Sequence, residues 1–194
     1  MIVLAGAAFG ALASTVNRAP GLAVLSKILG VGWSWAALAI LVGAVANRRR
    51  TLAVIAVLVA AVAGYYLSDL AAGTYNTIDL GDPRVVADPV NADEVVLWPG
   101  ALQDFVFWAA FAVLVSWPLA RIGAAARRDD AWGLAARLVV PLGAAAEMLT
   151  LKLPGELAVQ PNWDTVAVYI AVAGGGIVSA LVLVVRHFRR SRSA

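Results

Sequence analysis

The chain has 194 residues, of which 62% are hydrophobic and only 14% are charged, whereas soluble globular domains carry about 25% charged residues. Its mean hydropathy of +0.84 excludes an ordinary soluble domain. A bilayer needs roughly 20 apolar residues for each helical crossing, so six crossings would use nearly the whole chain. We therefore predict an all-α polytopic membrane bundle in a single transmembrane domain over residues 1–194.

Several function classes are excluded by the same inspection. The net charge is +3, but the basic residues form no aromatic-interleaved patch of the kind that binds nucleic acid. The chain has no cysteine, and its single histidine, His187, lies in the basic tail. Motifs for nucleotide phosphates, serine hydrolases and zinc proteases are absent. We predict no cofactor and no metal.

The apolar segments follow one another with short connections. In chain order they span about 2–16, 31–46, 51–70, 100–120, 132–153 and 165–185, and residues 22–29 form a short interfacial helix. The first segment is short, and a signal peptide is the alternative. Because no basic residue precedes it, we expect a retained helix.

Orientation follows from the basic residues, because cytoplasmic loops retain an excess of Lys and Arg. If the Asn47–Arg50 hairpin is cytoplasmic, ten basic residues lie inside, four lie outside, and Arg137 lies near the inner end of the fifth helix. Both termini are then cytoplasmic. The acidic loop 72–98 is external, with its helix-breaking Pro83 and Pro89. An arginine-rich, alanine- and valine-rich composition is typical of GC-rich bacterial genomes, so we expect a bacterial inner membrane.

Three acidic residues lie at membrane depth, where charges are rare and often functional. They are Asp69, Asp104 and Glu147, all in the outer half of the predicted bundle. Helical spacing puts Tyr65 and Tyr66 on the face of Asp69, and Phe107 and Trp108 on the face of Asp104. These residues predict an outer cavity of carboxylates and aromatic rings.

A structural explanation of the acids stays open. Asp69 and Asp104 lie within about two turns of the interface, where water or a helix N-terminus stabilises a carboxylate. Glu147 lies deeper, and Lys152 is the neighbour expected to neutralise it. If the site is enzymatic, the same three acids are its catalytic candidates.

Small residues mark two helices. Gly6 and Gly10 form a G-x-x-x-G pattern that permits close helix packing. Packing within the chain is the simpler interpretation, and docking of a partner membrane protein is the alternative. Residues 174–176 are three glycines that favour either close packing or local unwinding around a ligand.

Two resemblances bear on lineage and architecture. Through Trp33-Ser34-Trp35, the apolar run to Gly43, the arginine hairpin and Gly64-Tyr65-Tyr66, the chain resembles a family of uncharacterised actinobacterial small multipass membrane proteins. That resemblance implies a fold, but it does not indicate an activity. In architecture alone, the chain is similar to the S components of energy-coupling-factor transporters.

Three functional hypotheses follow. The first is a protein that binds or transports a small cationic or amphipathic ligand through Tyr65, Tyr66, Asp69, Asp104, Trp108 and Glu147. The second is a membrane enzyme of lipid or isoprenoid chemistry, similar to terpene cyclases, in which protonated Glu147 donates a proton. The third is an accessory subunit that packs through Gly6 and Gly10. In all three, the lipid bilayer is the common partner.

Overall fold

The computed structural model describes residues 1–79 and 94–191, and the described chain is overwhelmingly α-helical. The elements, in chain order, are α1 (Ile2–Arg18), a 3-10 turn (Pro20–Leu22), α2 (Ala23–Leu29), α3 (Gly32–Val45), α4 (Arg50–Ala71), β1 (Asn76–Ile78), β2 (Glu94–Val96), α5 (Trp98–Ala125), α6 (Ala131–Glu147), a π-helical turn (Met148–Lys152), α7 (Leu153–Ala158) and α8 (Trp163–Ser191). The predicted all-α bundle class is confirmed.

Four helical stretches in the described chain are long and apolar enough to cross a membrane. They are Arg50–Ala71, Trp98–Ala125, Ala131–Ala158 and Trp163–Arg190. Two further apolar helices, Ile2–Arg18 and Gly32–Val45, are shorter. Large apolar side chains are exposed along these helices, which is the surface that a lipid solvent requires.

Helices α1 and α4 pack in parallel through small residues. Gly6 lies beside Val57 and Gly10 beside Ala61, and a Cβ at Gly10 would lie 2.6 Å from the Ala61 carbonyl carbon. This approach brings the two backbones into contact, as small residues allow in membrane helix pairs. The G-x-x-x-G face is therefore buried within the chain, and a partner helix would have to displace α4 to reach it.

Helices α3 and α5 also run in parallel, and their backbones approach closely near their C-termini. A Cβ at Gly43 would lie 2.9 Å from Cα of Ala120, and one at Gly123 would lie 2.7 Å from the backbone nitrogen of Ala44. Ala39, Val42 and Ala120 join the main core cluster beside α4 at this contact. This contact therefore joins the C-terminal halves of the two helices.

Helices α6 and α8 form an antiparallel pair beside this group. Gly176 packs against the backbone of Pro141, and Met148 packs with Tyr169 in a separate core cluster. Helix α8 continues through all three glycines of residues 174–176 without unwinding. The π-helical turn follows α6 directly, so the backbone hydrogen-bond register changes immediately after Glu147.

One end of the bundle is rich in arginine, and we call it the arginine-rich end. Arg127 donates to Asn47 Oδ1, which links the α3–α4 turn to the α5–α6 turn. Arg137 reaches back from α6 to donate to the Ala126 carbonyl at 2.7 Å, so it satisfies the C-terminus of α5. Asp130 caps α6 by accepting from the Gly133 N–H, which together with Arg128 lowers the pKa of its carboxyl. Helix packing places the start of α1 and the end of α8 at this same end.

The opposite end carries a short hairpin, and we call it the hairpin end. The loop expected over 72–98 contains two antiparallel strands, with Asn76 opposite Val96 and Ile78 opposite Glu94. A hydrogen bond from Asn76 Nδ2 to Glu94 Oε2 joins them at 2.8 Å. Residues 80–93, which include Asp82, Asp88, Asp93 and the two prolines of the loop, lie outside the described residues.

Candidate functional site

A cavity of about 600 Å³ lies between α3, α4 and α5. This volume is in the range of sites for small organic molecules. Its lining comes from the end of α1, the α2–α3 junction, α3, α4 and α5. The lining residues are Asn17, Gly30, Val31, Gly32, Trp35, Ala36, Leu58, Val62, Tyr65, Tyr66, Trp108, Phe111, Ala112, Val115 and Leu119.

The wall of the cavity nearest the hairpin end is aromatic. Trp35 and Tyr65 have ring centroids 6.3 Å apart, and Tyr65 and Tyr66 meet edge to face at 5.7 Å. On α5, Trp108 and Phe111 meet edge to face at 5.8 Å. These contacts hold the rings in fixed orientations, so the cavity walls are preorganised before any ligand enters.

Trp35 is anchored by more than its ring contacts. Its indole Nε1 donates to the Leu29 carbonyl at 3.0 Å, and its ring packs edge to face on Phe9 of α1 at 5.3 Å. The hydrogen bond ties the first turns of α3 to the end of α2. The wall that Trp35 forms is therefore braced from two sides.

Asp69 is buried at the α1–α4 interface and does not line this cavity. It is 7% exposed, accepts from the Ser14 hydroxyl at 2.7 Å and lies 3.4 Å from Arg18 Nε. Arg18 also donates to the Ser68 hydroxyl. The carboxylate is thus neutralised by a buried network between two helices, a structural role that its burial requires.

Asp104 lies on the exposed face of α5 near the hairpin end. Its Oδ2 accepts from the Tyr75 hydroxyl at 3.0 Å. Burial, and then the hydrogen bond to Asp104, raises the pKa of Tyr75, so this phenol remains a protonated donor at neutral pH. Tyr75 in turn packs on Tyr66, with ring centroids 6.2 Å apart. Asp104 therefore stabilises the aromatic wall through Tyr75, and it does not line the cavity.

Glu147 caps the N-terminus of α3. Its Oε1 accepts from the Gly32 N–H at 3.1 Å and its Oε2 from the Trp33 N–H at 2.9 Å. The first N–H groups of a helix have no partner within the helix, and the helix dipole favours a negative charge there. In the described chain Lys152 makes no ion pair with Glu147. The α3 backbone, and not a lysine, stabilises this carboxylate.

The structure therefore separates the six predicted site residues into two groups. Tyr65, Tyr66 and Trp108 line the cavity together, whereas Asp69, Asp104 and Glu147 do not and each has a partner elsewhere. Phe107, on the neighbouring position to Trp108, is 61% exposed and also stays outside. The acids surround the cavity and hold its walls in place.

Among the lining residues that were not predicted are the polar Asn17 and the aromatic Trp35 and Phe111. Asn17 directly follows the first predicted segment, 2–16, and Trp35 was named only for the resemblance. A signal for Phe111 was present, because it lies three residues after Trp108 and hence on the same helix face.

A second apolar cavity of about 430 Å³ lies between α6 and α8. It shares no lining residue with the first, and the first turn of α3 lies between them, since Gly32 borders one and Trp33 the other. The Trp33 Nε1 atom is buried with no hydrogen-bond partner in the described part of the chain. The lining of this second cavity carries no ionisable side chain.

Comparison of the chain with protein-family models, curated proteins and solved structures gave no match. Within residues 1–79 and 94–191, no group of three or more His, Asp or Glu residues is placed to hold a metal ion. The function is therefore inferred from the geometry of the cavity.

Proposed function

We propose that the chain is an inner-membrane protein of a bacterium that crosses the bilayer six times, has both termini in the cytoplasm, and binds or transports a small amphipathic ligand in the α3–α5 cavity. The observation that carries this proposal is the cavity of about 600 Å³ with braced aromatic walls. The close approach of α3 and α5 at Gly43 and Gly123 lies just beyond Leu119, the last lining residue on α5.

The proposed topology is supported by the two ends of the bundle. The arginine-rich end carries Arg48, Arg127 and Arg128, as a cytoplasmic surface does. At the hairpin end, Arg18 is paired with Asp69, which reduces the positive charge there further. Helices α1 and α3 are short for a crossing, and local thinning of the bilayer accommodates such helices at modest cost.

Cysteine labelling tests the topology, because the natural chain has no cysteine. Thr77→Cys, on the exposed first strand, is expected to react with a membrane-impermeant maleimide added to intact spheroplasts. Asn47→Cys, at the arginine-rich end, is expected to react only after the membrane is permeabilised. The opposite pattern would contradict the proposed orientation, and equal labelling of both would contradict a spanning bundle.

Filling the cavity tests the ligand-binding proposal. Val115 lines the cavity and is half-buried, so Val115→Phe places a ring in the ligand's space. We expect native mass spectrometry of the natural protein to show a bound small molecule, and its occupancy to fall about tenfold in this variant, equivalent to about 1.4 kcal/mol of binding free energy.

Leu114→Phe is the matched control. Leu114 is the preceding residue on α5, is 73% exposed and faces away from the cavity. This variant is expected to retain the bound molecule. Equal loss in both variants, or no bound molecule in the natural protein, would count against ligand binding in this cavity.

A further inference from the structure

The α3–α5 cavity has one polar end and one apolar end. Its polar groups, the Asn17 side chain and the hydroxyls of Tyr65 and Tyr66, lie toward the hairpin end, where Asn17 interacts with the Tyr65 hydroxyl. The deepest lining residues, Leu58 and Leu119, offer only hydrocarbon. From Trp108 to Leu119 the cavity follows eleven residues of α5, a distance of about 16 Å along the helix axis.

No lining residue of this cavity carries a charge. The three nearby carboxylates are all engaged: Asp69 by Arg18, Asp104 by Tyr75, and Glu147 by the α3 backbone. An ionic group that entered the cavity would lose its hydration without gaining a counter-ion, which is unfavourable. The walls therefore select against ligands with a charged head.

The side of the cavity between α3 and α5 is open to the surface that faces lipid. Trp108 and Phe111 line the cavity, yet each remains 48% exposed. Both aromatic side chains belong to α5, one of the helices that are long and apolar enough to cross a membrane. A molecule dissolved in the bilayer can reach the cavity sideways, without crossing the aqueous interface.

Resting on the function proposed above, we propose that the ligand is an uncharged, single-chain amphiphile that enters from the bilayer between α3 and α5. Its hydroxyl or carbonyl group lies at the polar end, within reach of Asn17 and the two tyrosine hydroxyls. Its chain runs along α5 toward Leu119. The cavity volume of about 600 Å³ is in the range of small-molecule sites and is suited to a ligand with one alkyl chain.

Photoaffinity labelling of the full chain in nanodiscs tests this proposal. The probes are three dodecyl compounds that differ only in the head group, an alcohol, a carboxylate and a trimethylammonium, each with a diazirine on the terminal carbon. We expect the alcohol to label residues near Leu58, Val115 and Leu119 in a saturable manner. An alcohol with the diazirine beside its head group is expected to label near Trp35 and Tyr65 instead.

Variants and competition separate cavity labelling from general lipid contact. Excess unlabelled dodecanol should reduce cavity labelling at least fivefold, as should Val115→Phe, whereas Leu114→Phe should leave it unchanged. Labelling of the cavity by the trimethylammonium or carboxylate probe at least as strongly as by the alcohol would overturn the uncharged class while the binding function stands. Reversed positions of head and tail would overturn the pose. No saturable labelling by any probe would overturn the proposed binding function as well.

Discussion

Replacement of Gly10 by leucine is expected to prevent the protein from folding to a stable monomer in detergent. The Gly10 Cα faces the α4 backbone, and even a Cβ there would lie 2.6 Å from the Ala61 carbonyl carbon and 2.9 Å from the Tyr65 nitrogen. Backbone atoms cannot move aside as a flexible side chain can. Separating the helices would also break the Ser14–Asp69–Arg18 network. We expect a loss of more than about 3 kcal/mol of stability.

Size-exclusion chromatography and thermal unfolding measure this effect. Ala8→Leu is the matched control, since Ala8 lies on the same helix but is exposed and faces away from α4. The control is expected to elute and melt as the natural protein does. If Gly10→Leu remained a monomer with unchanged melting temperature, the parallel α1–α4 packing described above would be wrong.

Replacement of Glu147 by glutamine is expected to destabilise the bundle by about 1–2 kcal/mol. In the natural protein one carboxylate oxygen accepts from the Gly32 N–H and the other from the Trp33 N–H. Glutamine replaces one of these oxygens by an NH2 group that only donates, so this two-oxygen arrangement is lost and one weaker neutral acceptor remains. It also removes the negative charge from the helix N-terminus. Glu147→Ala leaves both N–H groups unsatisfied and should cost more, about 2–3 kcal/mol.

Denaturant unfolding in detergent provides the measurement, with Glu94→Gln as control. Glu94 also accepts a side-chain hydrogen bond, from Asn76, but on an exposed strand, so its replacement should cost less than about 0.5 kcal/mol. An effect of Glu147→Gln on ligand binding with no change in stability would contradict the capping role and favour direct contact with ligand. Equal stability of Glu147→Gln, Glu147→Ala and Glu94→Gln would contradict the capping of α3 by Glu147.

The fold class was accessible from sequence because hydrophobicity dominates the free energy of a chain in a bilayer. Long apolar runs separated by charged or proline-rich connections predicted an all-α bundle, and the structure confirms that class. The pairing of strands β1 and β2 was not predicted, because three-residue strands leave little periodicity to detect. The π-helical turn after Glu147 likewise has no sequence signal that distinguishes it from α-helix.

The partners of the acids were beyond local sequence reasoning. Ser14 and Asp69 are 55 residues apart, and Gly32 and Glu147 are 115 residues apart. Helical periodicity identifies the face of one helix on which a residue lies, but the partner depends on which helices pack together and in which register. Lys152, chosen because it is close in the chain to Glu147, illustrates this limit.

The aromatic residues show the same limit of local sequence reasoning, but here the predicted residues do line the cavity. Tyr65, Tyr66 and Trp108 were singled out through their spacing from the acids, yet they line the cavity while the acids do not. Trp35 has the sequence position of an interfacial residue, but its contacts with Phe9 and Leu29 turn it toward the bundle interior. The carboxylates that first marked the site support the walls of the cavity, and its lining is aromatic and aliphatic and carries no charge.

An experimental map of the protein extracted from its native membrane, in lipid nanodiscs, would show directly whether the α3–α5 cavity binds a ligand. We expect an elongated non-protein density between Trp35, Tyr65 and Trp108 that extends toward Leu119, in a cavity of about 600 Å³. We also expect the close backbone approach of α3 and α5 at Gly43 and Gly123, beyond the end of this density. Helices α3 and α5 packed together along their whole length, with no space between them, would contradict ligand binding there.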